Sequence, residues 1–329
     1  MWTVSALLLP ALAWGVMHFG LRSLLVVGTT VLAALVAELV AAALLRRQAV
    51  ADGHAVLVGM LIGISVPVDI PLFVPVSAAV FALLVVKWTF GGLGSYWMNP
   101  VLGGWTFAYL SWPGAWRNLD AITGPTPLAA ARAGGAGGPL SAAQAAGAVG
   151  STVDASVTEW LNVRLLSPLG IDLPEGYVDL FLGQTGGTIG EVSAGLLLVA
   201  SVVLLGSRIV RWHLPAAMFG SFALVIWIFG GVSYGVGFFG GDVLFHLMTG
   251  GFLLTLFFIA PESGSAPYTR GGMVVFGTLT GVLAAVFRLY ASVPEGVAFA
   301  VILANVAGPF IHQHTQRRRF GQKRGGRSR

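Results

Sequence analysis

The chain has 329 residues, 56% hydrophobic and 9% charged, with a formal net charge of +5 and a mean hydropathy of +0.84. Soluble domains carry about 25% charged residues, so this composition excludes an ordinary soluble protein and indicates a polytopic membrane protein. The absence of cysteine excludes disulfides, thiolate catalysis and cysteine-held iron–sulfur clusters, leaving redox chemistry to an organic cofactor or a partner's metal centres.

Ten apolar segments follow in order, at about 3–19, 23–45, 54–67, 70–87, 96–112, 190–206, 214–231, 242–260, 271–290 and 294–312. Most approach the ~20 residues that cross a bilayer core. The first has no small-x-small cleavage site before a polar region and reads as a retained span. The third, backed by Pro67 and Pro71, is short enough to be a half-span or a broken helix. The expected fold is an all-α membrane protein with residues 1–112 as a first five-span half, 113–189 as a loop, 190–313 as a second half and 314–329 as a basic tail.

An odd number of spans per half inverts the second relative to the first. Val56–Pro67 faintly resembles His246–Pro261, and Asn99-Pro100 has a counterpart in Asn305 and Pro309. Repeat ancestry and shared membrane-helix composition both account for this.

With the N-terminus inside, thirteen of the eighteen basic residues fall on the cytoplasmic side, seven of them in the tail. The positive-inside rule then sets both termini cytoplasmic and the long loop outside. Residues 129–150 are nearly all Ala and Gly and read as low-complexity, mobile or weakly helical. Ser151–Leu166 reads as a capped helix with Trp160 and Leu161 on an apolar face. The loop ends in a glycine-rich run over 183–191 that is expected to be flexible.

At the start of this loop stands Asp120-Ala-Ile-Thr-Gly-Pro-Thr-Pro-Leu128. Gly124 and Pro125 punctuate a turn, and Pro127 keeps Thr126 extended and reachable. Two readings are open: a plain re-entry turn, or a threonine that carries a covalently attached group.

Among the apolar spans, Glu38 and Glu191 are the acids expected to be embedded. An ionised carboxylate in lipid costs at least ~2.5–3.5 kcal/mol, so each faces an ion, a cavity or a partner, or is protonated. Cation or proton handling and a paired structural acid both satisfy that requirement. His246 reads as a proton carrier or a hydrogen-bonded packing histidine. Asn99 and Asn305 are expected to satisfy backbone freed by nearby prolines. No histidine spacing suggests a metal site, and no G-x-G-x-x-G follows a strand. The basic tail lacks the aromatic interleaving of a nucleic-acid site and reads as an anchor for anionic lipid headgroups.

The ordered motifs resemble the RnfD/NqrB family of ion-translocating redox pumps over almost the whole chain. The marks are Glu38, Asp52-Gly-His, Lys87-Trp-Thr-Phe-Gly-Gly, Asn99-Pro100, the 120–128 stretch, Gly186–Ser193, Arg211–Pro215, His246–Gly251, Phe257–Pro261, Arg288, Pro294–Ala300 and Asn305. The resemblance implies a ten-span subunit of a multisubunit oxidoreductase in the bacterial cytoplasmic (inner) membrane, not catalytic alone. It implies FMN joined by a phosphoester to Thr126 by a flavin transferase, with Asp120, Thr123, Gly124 and Pro125 completing the attachment motif. The flavin would relay electrons between iron–sulfur and flavin centres of partner subunits, coupled to Na+ or H+ movement, with Glu38 and Glu191 on the ion path. It also implies a second, non-covalent flavin, riboflavin, which no motif here places. Pro125 stands where the family motif has Ala, and the chain starts almost at the first span, without the family's lead-in. The alternatives are a flavin-free channel or solute transporter of similar inverted layout, or a structural scaffold of the pump.

Overall fold

A backbone in hydrocarbon has no water to satisfy its N–H and C=O groups, so apolar runs of this kind fold as helices. The computed structural model describes residues 1–46, 52–119, 126–133, 137–170, 172–191, 193–291 and 296–316, and among these every regular element is helical. In order they are α1 (Trp2–Phe19), α2 (Leu21–Leu45), α3 (His54–Ile64), α4 (Phe73–Val80) with a π-helical extension (Phe81–Trp88), and α5 (Pro100–Ser111). The loop region holds α6 (Pro127–Ala133), α7 (Pro139–Ala145), α8 (Thr152–Leu161) and α9 (Tyr177–Leu182). The remaining elements are α10 (Ala194–Gly206), α11 (His213–Phe229), α12 (Val243–Met248), α13 (Phe252–Leu254) with a π turn (Thr255–Ile259), α14 (Arg270–Tyr290) and α15 (Gly296–Thr315).

Helices α1, α2, α11, α14 and α15 are long and apolar enough to cross a membrane, and α3, the α4 segment and α10 are shorter apolar helices. Their outward faces carry Leu24, Leu32, Val36, Val199, Val202 and Leu224, all exposed, as a lipid-facing surface requires. Small residues set the closest approaches. A β-carbon on Gly59 of α3 would stand 2.7 Å from Val31 Cα of α2, and one on Gly277 of α14 would stand 2.6 Å from Leu214 O of α11. These contacts need glycine, the usual device for bringing helices together in lipid.

The third apolar segment does break: α3 ends at Ile64, and its last carbonyls are met by another chain region, Gly190 N donating to Ile64 O at 2.8 Å. The segment at 242–260, read as one span, is also interrupted. Between α12 and α13 the chain turns at Thr249, extended at ψ 145°, and Gly250, at φ +64°, a conformation that favours glycine.

The loop region is more ordered than its composition suggests. Helices α6 and α7 bury Ala130, Ala131, Leu140 and Ala143 in a small core with Leu180 and Phe245, so the Ala/Gly stretch contributes two packed helices. Ser151 caps α8 as expected, accepting from Asp154 N at 3.1 Å. Trp160, however, is 56% exposed, and the residues that α8 turns inward are Asp154 and Thr158. Asp154 is the reason. Its carboxylate accepts from Gly176 N at 2.6 Å and Asp179 N at 3.0 Å, which fixes the helix rotation.

Candidate functional site

The polar side chains gather in two regions at opposite ends of the bundle. On the face where the chain begins, Trp2 lies against Gly53; the other face carries the loop helices.

Thr126 sits on the loop face, half-buried, immediately before α6. Its Oγ1 accepts from Ala129 N at 3.1 Å and its carbonyl accepts from Ala130 N at 2.9 Å, the geometry of an N-cap with Pro127 at the first helical position. Asp120, Thr123, Gly124 and Pro125 lie outside the described residues. Beneath α6, Phe245 and Met248 of α12 adjoin its alanines. The loop is pinned further by Asp179, which accepts from Gly150 N and Ser151 N at 2.8 Å each and from Ser151 Oγ at 2.6 Å. Tyr177 donates to Asp242 Oδ2 at 2.6 Å, and Asp242 Oδ1 caps α12 by accepting from Phe245 N at 2.8 Å. Burial, then the neighbouring carboxylate, push the Tyr177 hydroxyl up from its usual range.

The helix break below this loop is held by Arg288 of α14. Its Nη1 donates to His246 O at 3.0 Å and Thr249 O at 2.6 Å, the carbonyls released where α12 ends. His246 is 1% exposed, and neither ring nitrogen has a hydrogen-bond partner among the described residues.

At the opposite face Glu38 is fully buried in α2. Lys87 Nζ lies 2.7 Å from its Oε1, and Trp88 Nε1 donates to Oε2 at 2.9 Å. Both donors come from the π-helical extension of α4. Lys87 Nζ also lies 4.0 Å from Asp52 Oδ2, and Asp52 Oδ1 accepts from His54 N at 2.8 Å. Beside these stands a second cluster around Glu262. His54 Nε2 is 3.1 Å from Glu262 Oε1, Asn99 Nδ2 donates to Glu262 Oε2 at 2.6 Å, and the Tyr96 hydroxyl donates to Oε1. Asn99 Oδ1 caps α5, accepting from Val101 N at 2.9 Å, while its amide also donates to Ile259 O at 2.9 Å. The expectation for Asn99 thus holds: it meets backbone just after Pro100 and just before Pro261. Asn305 differs: it is buried, and among the described residues both amide atoms lack a hydrogen-bond partner.

Glu191 is also buried but lies elsewhere. It follows Gly190, which meets the C-terminal end of α3 at Ile64, whereas Glu38 and Lys87 adjoin Asp52 and His54 at its N-terminal end. The eleven residues of α3 separate the two by about 16 Å along the helix. Sequence reasoning overlooked Glu262, Tyr96 and Asp242. Signals existed for Glu262, an acid directly after an apolar run and Pro261, and for Asp242, a capping acid at the head of the segment 242–260; for Tyr96 there was none.

A model of the family described as NQR2, RnfD, RnfE matches residues 1–321. A subunit of the proton-translocating ferredoxin:NAD(+) oxidoreductase complex of Clostridium ljungdahlii is 32% identical over 335 residues, spanning 98% of this chain and 92% of that protein. A subunit of the Na(+)-translocating ferredoxin:NAD(+) oxidoreductase complex of Acetobacterium woodii is 32% identical over 330 residues, spanning 98% and 90%. A subunit of the ion-translocating oxidoreductase complex of Yersinia pestis is 30% identical over 335 residues, spanning 96% and 92%. With its helical membrane architecture and a family match across nearly its whole length, this chain belongs to the NQR2, RnfD, RnfE family.

Proposed function

We propose that the chain is the RnfD-type membrane subunit of an ion-translocating ferredoxin:NAD oxidoreductase, carrying FMN through a phosphoester on Thr126. The relatives' names support the complex, and the surroundings of Thr126 support the attachment. Its hydroxyl stands at a fixed helix start on the loop face, half-buried and within reach of another protein. An ester oxygen can still accept from Ala129 N, so the cap survives modification. The buried Arg288 below the loop, and His246, whose ring nitrogens have no hydrogen-bond partner among the described residues, offer an anionic group polar company. FMN, when bound, supplies a carrier of one or two electrons between redox centres of partner subunits, iron–sulfur and flavin centres among them.

In this reading a flavin transferase acts on the 120–128 motif despite Pro125, both termini are cytoplasmic and the loop lies outside the bacterial cytoplasmic membrane. The ten spans form two inverted halves, and a riboflavin without an assigned place completes the cofactors. Glu38 and Glu191 are the carboxylates on the ion path. Glu38 takes part by exchanging its internal cation, Lys87, for a translocated one. Na+ and H+ both remain open, because relatives of equal identity are named for different ions.

The observation that carries the proposal is the position of Thr126 as an accessible cap over the broken helix. The test is a denaturing gel of protein co-expressed with the transferase, viewed under ultraviolet light. A fluorescent band mapped by peptide mass to Thr126, and lost in Thr126→Ala, is the expected result. A dark band with an active transferase would leave the threonine unmodified and favour a channel or scaffold.

A further inference from the structure

Around the start of α6 the structure places two cations whose function the attachment chemistry does not require. A β-carbon built on Gly250 would stand 3.0 Å from Arg288 Nη2 and 3.5 Å from Leu128 Cδ2. Arg288 and Leu128, the second residue after Thr126, thus converge on the same bend of the broken helix. Arg288 is 4% exposed, so little water screens its charge. Arg132, one helical turn beyond Leu128 on α6, is exposed. His246, whose carbonyl accepts from Arg288, has both ring nitrogens without a hydrogen-bond partner among the described residues.

We propose that Arg288, assisted by Arg132, is a positioning charge that sets the reduction potential of the flavin on Thr126. The inference rests on the covalent flavin of the preceding section. Each electron accepted by an isoalloxazine adds negative charge unless a proton accompanies it. A fixed cation nearby stabilises that charge and raises the potential, and in a poorly screened site the effect is larger than in water. The simpler role for Arg288, closing the carbonyls of the broken helix, predicts no effect on potential beyond loss of fold.

The experiment is a spectroelectrochemical titration of the flavinylated full-length chain in detergent, with soluble mediators delivering the electrons. Arg288→Gln should weaken stabilisation of the reduced flavin about tenfold, a shift of about 59 mV to more negative potential for a one-electron couple. Arg288→Lys should recover most of it. Arg132→Gln, at an exposed position, should shift the potential in the same direction by less, and it decides the matter if Arg288→Gln does not fold. Fluorescent, folded variants with the wild-type potential would overturn the inference while leaving the flavin assignment intact. A wild-type band without fluorescence would overturn both, and the two failures are told apart on the gel.

Discussion

The Lys87 ammonium lies 2.7 Å from Glu38 Oε1 at a depth where neither side chain is more than 1% exposed. Removing one member of such a pair leaves a charge without compensation and destabilises by about 3–5 kcal/mol, whereas removing both is far milder. Lys87→Met should therefore lower the unfolding midpoint in detergent sharply, and Lys87→Met combined with Glu38→Gln should recover most of the loss. A double variant as unstable as the single would mean the two residues are not energetically coupled. Glu38→Gln alone should keep its flavin and reduce ion uptake by vesicles containing the complex; unchanged uptake would take Glu38 off the ion path.

Asp154 organises the loop from within, because its buried carboxylate accepts two backbone N–H groups, from Gly176 and Asp179. Asp154→Ala leaves both donors buried and unsatisfied, a loss of about 2–4 kcal/mol. Limited proteolysis should then cut within 137–183 under conditions where the wild type resists. An identical cleavage pattern would place the loop's stability elsewhere.

Tyr177 ties the loop to the cap of α12 through Asp242. Its hydroxyl ionises at higher pH in the folded protein than in the unfolded chain, through burial first and Asp242 second. A raised folded value means the contact is fully present below about pH 10, the unfolded value, and is lost as pH rises through the folded one. Hydrogen exchange near Phe245 should accordingly show this contact constant between about pH 6 and 9, once intrinsic exchange rates are corrected. Tyr177→Phe should cost about 1.5–3 kcal/mol of local stability at neutral pH, the range for a hydrogen bond to a charged group. Equal protection in the variant would remove Tyr177 as a tether.

Helices α11 and α14 meet at Gly281, where a β-carbon would overlap Met218 O and Ser221 Oγ. Gly281→Ala should force the pair apart and destabilise by about 1–3 kcal/mol. Gly271, ten residues earlier, has open space around it, so Gly271→Ala should be neutral or slightly stabilising. Thermal unfolding of the two variants side by side separates a packing effect from a propensity effect.

The helical spans were legible because bilayer thickness constrains the length of apolar runs, and each apolar segment contains a helix close to where hydropathy puts one. Breaks are less visible. The segment at 242–260 keeps its hydrophobicity straight through the turn at Gly250, since hydropathy does not register backbone direction. Glu38 was conspicuous as a charge in an apolar run, while its pairing with Lys87, at the end of the segment 70–87, spans 49 residues and only tertiary structure supplies it. Thr126 was singled out by local turn chemistry, which operates over a few residues and can be read directly. The Ala/Gly stretch allowed weak helices, which are present, but small side chains give no amphipathic pattern to reveal their packing; Phe245 and Leu180, distant in sequence, turn it into a core.

The links that close this bundle also dictate an order of events during synthesis. Asn99 and His54 emerge from the ribosome long before Glu262, which is 163 residues beyond Asn99, and the end of α3 waits for Gly190. At about 5–20 residues per second, Asn99 is without its carboxylate for roughly 8–30 s. The first helices must therefore be sheltered by the insertion machinery, by lipid headgroups or by water until the second set arrives. A chain truncated before Glu262 should be a substrate for membrane quality control even though its leading helices are all present.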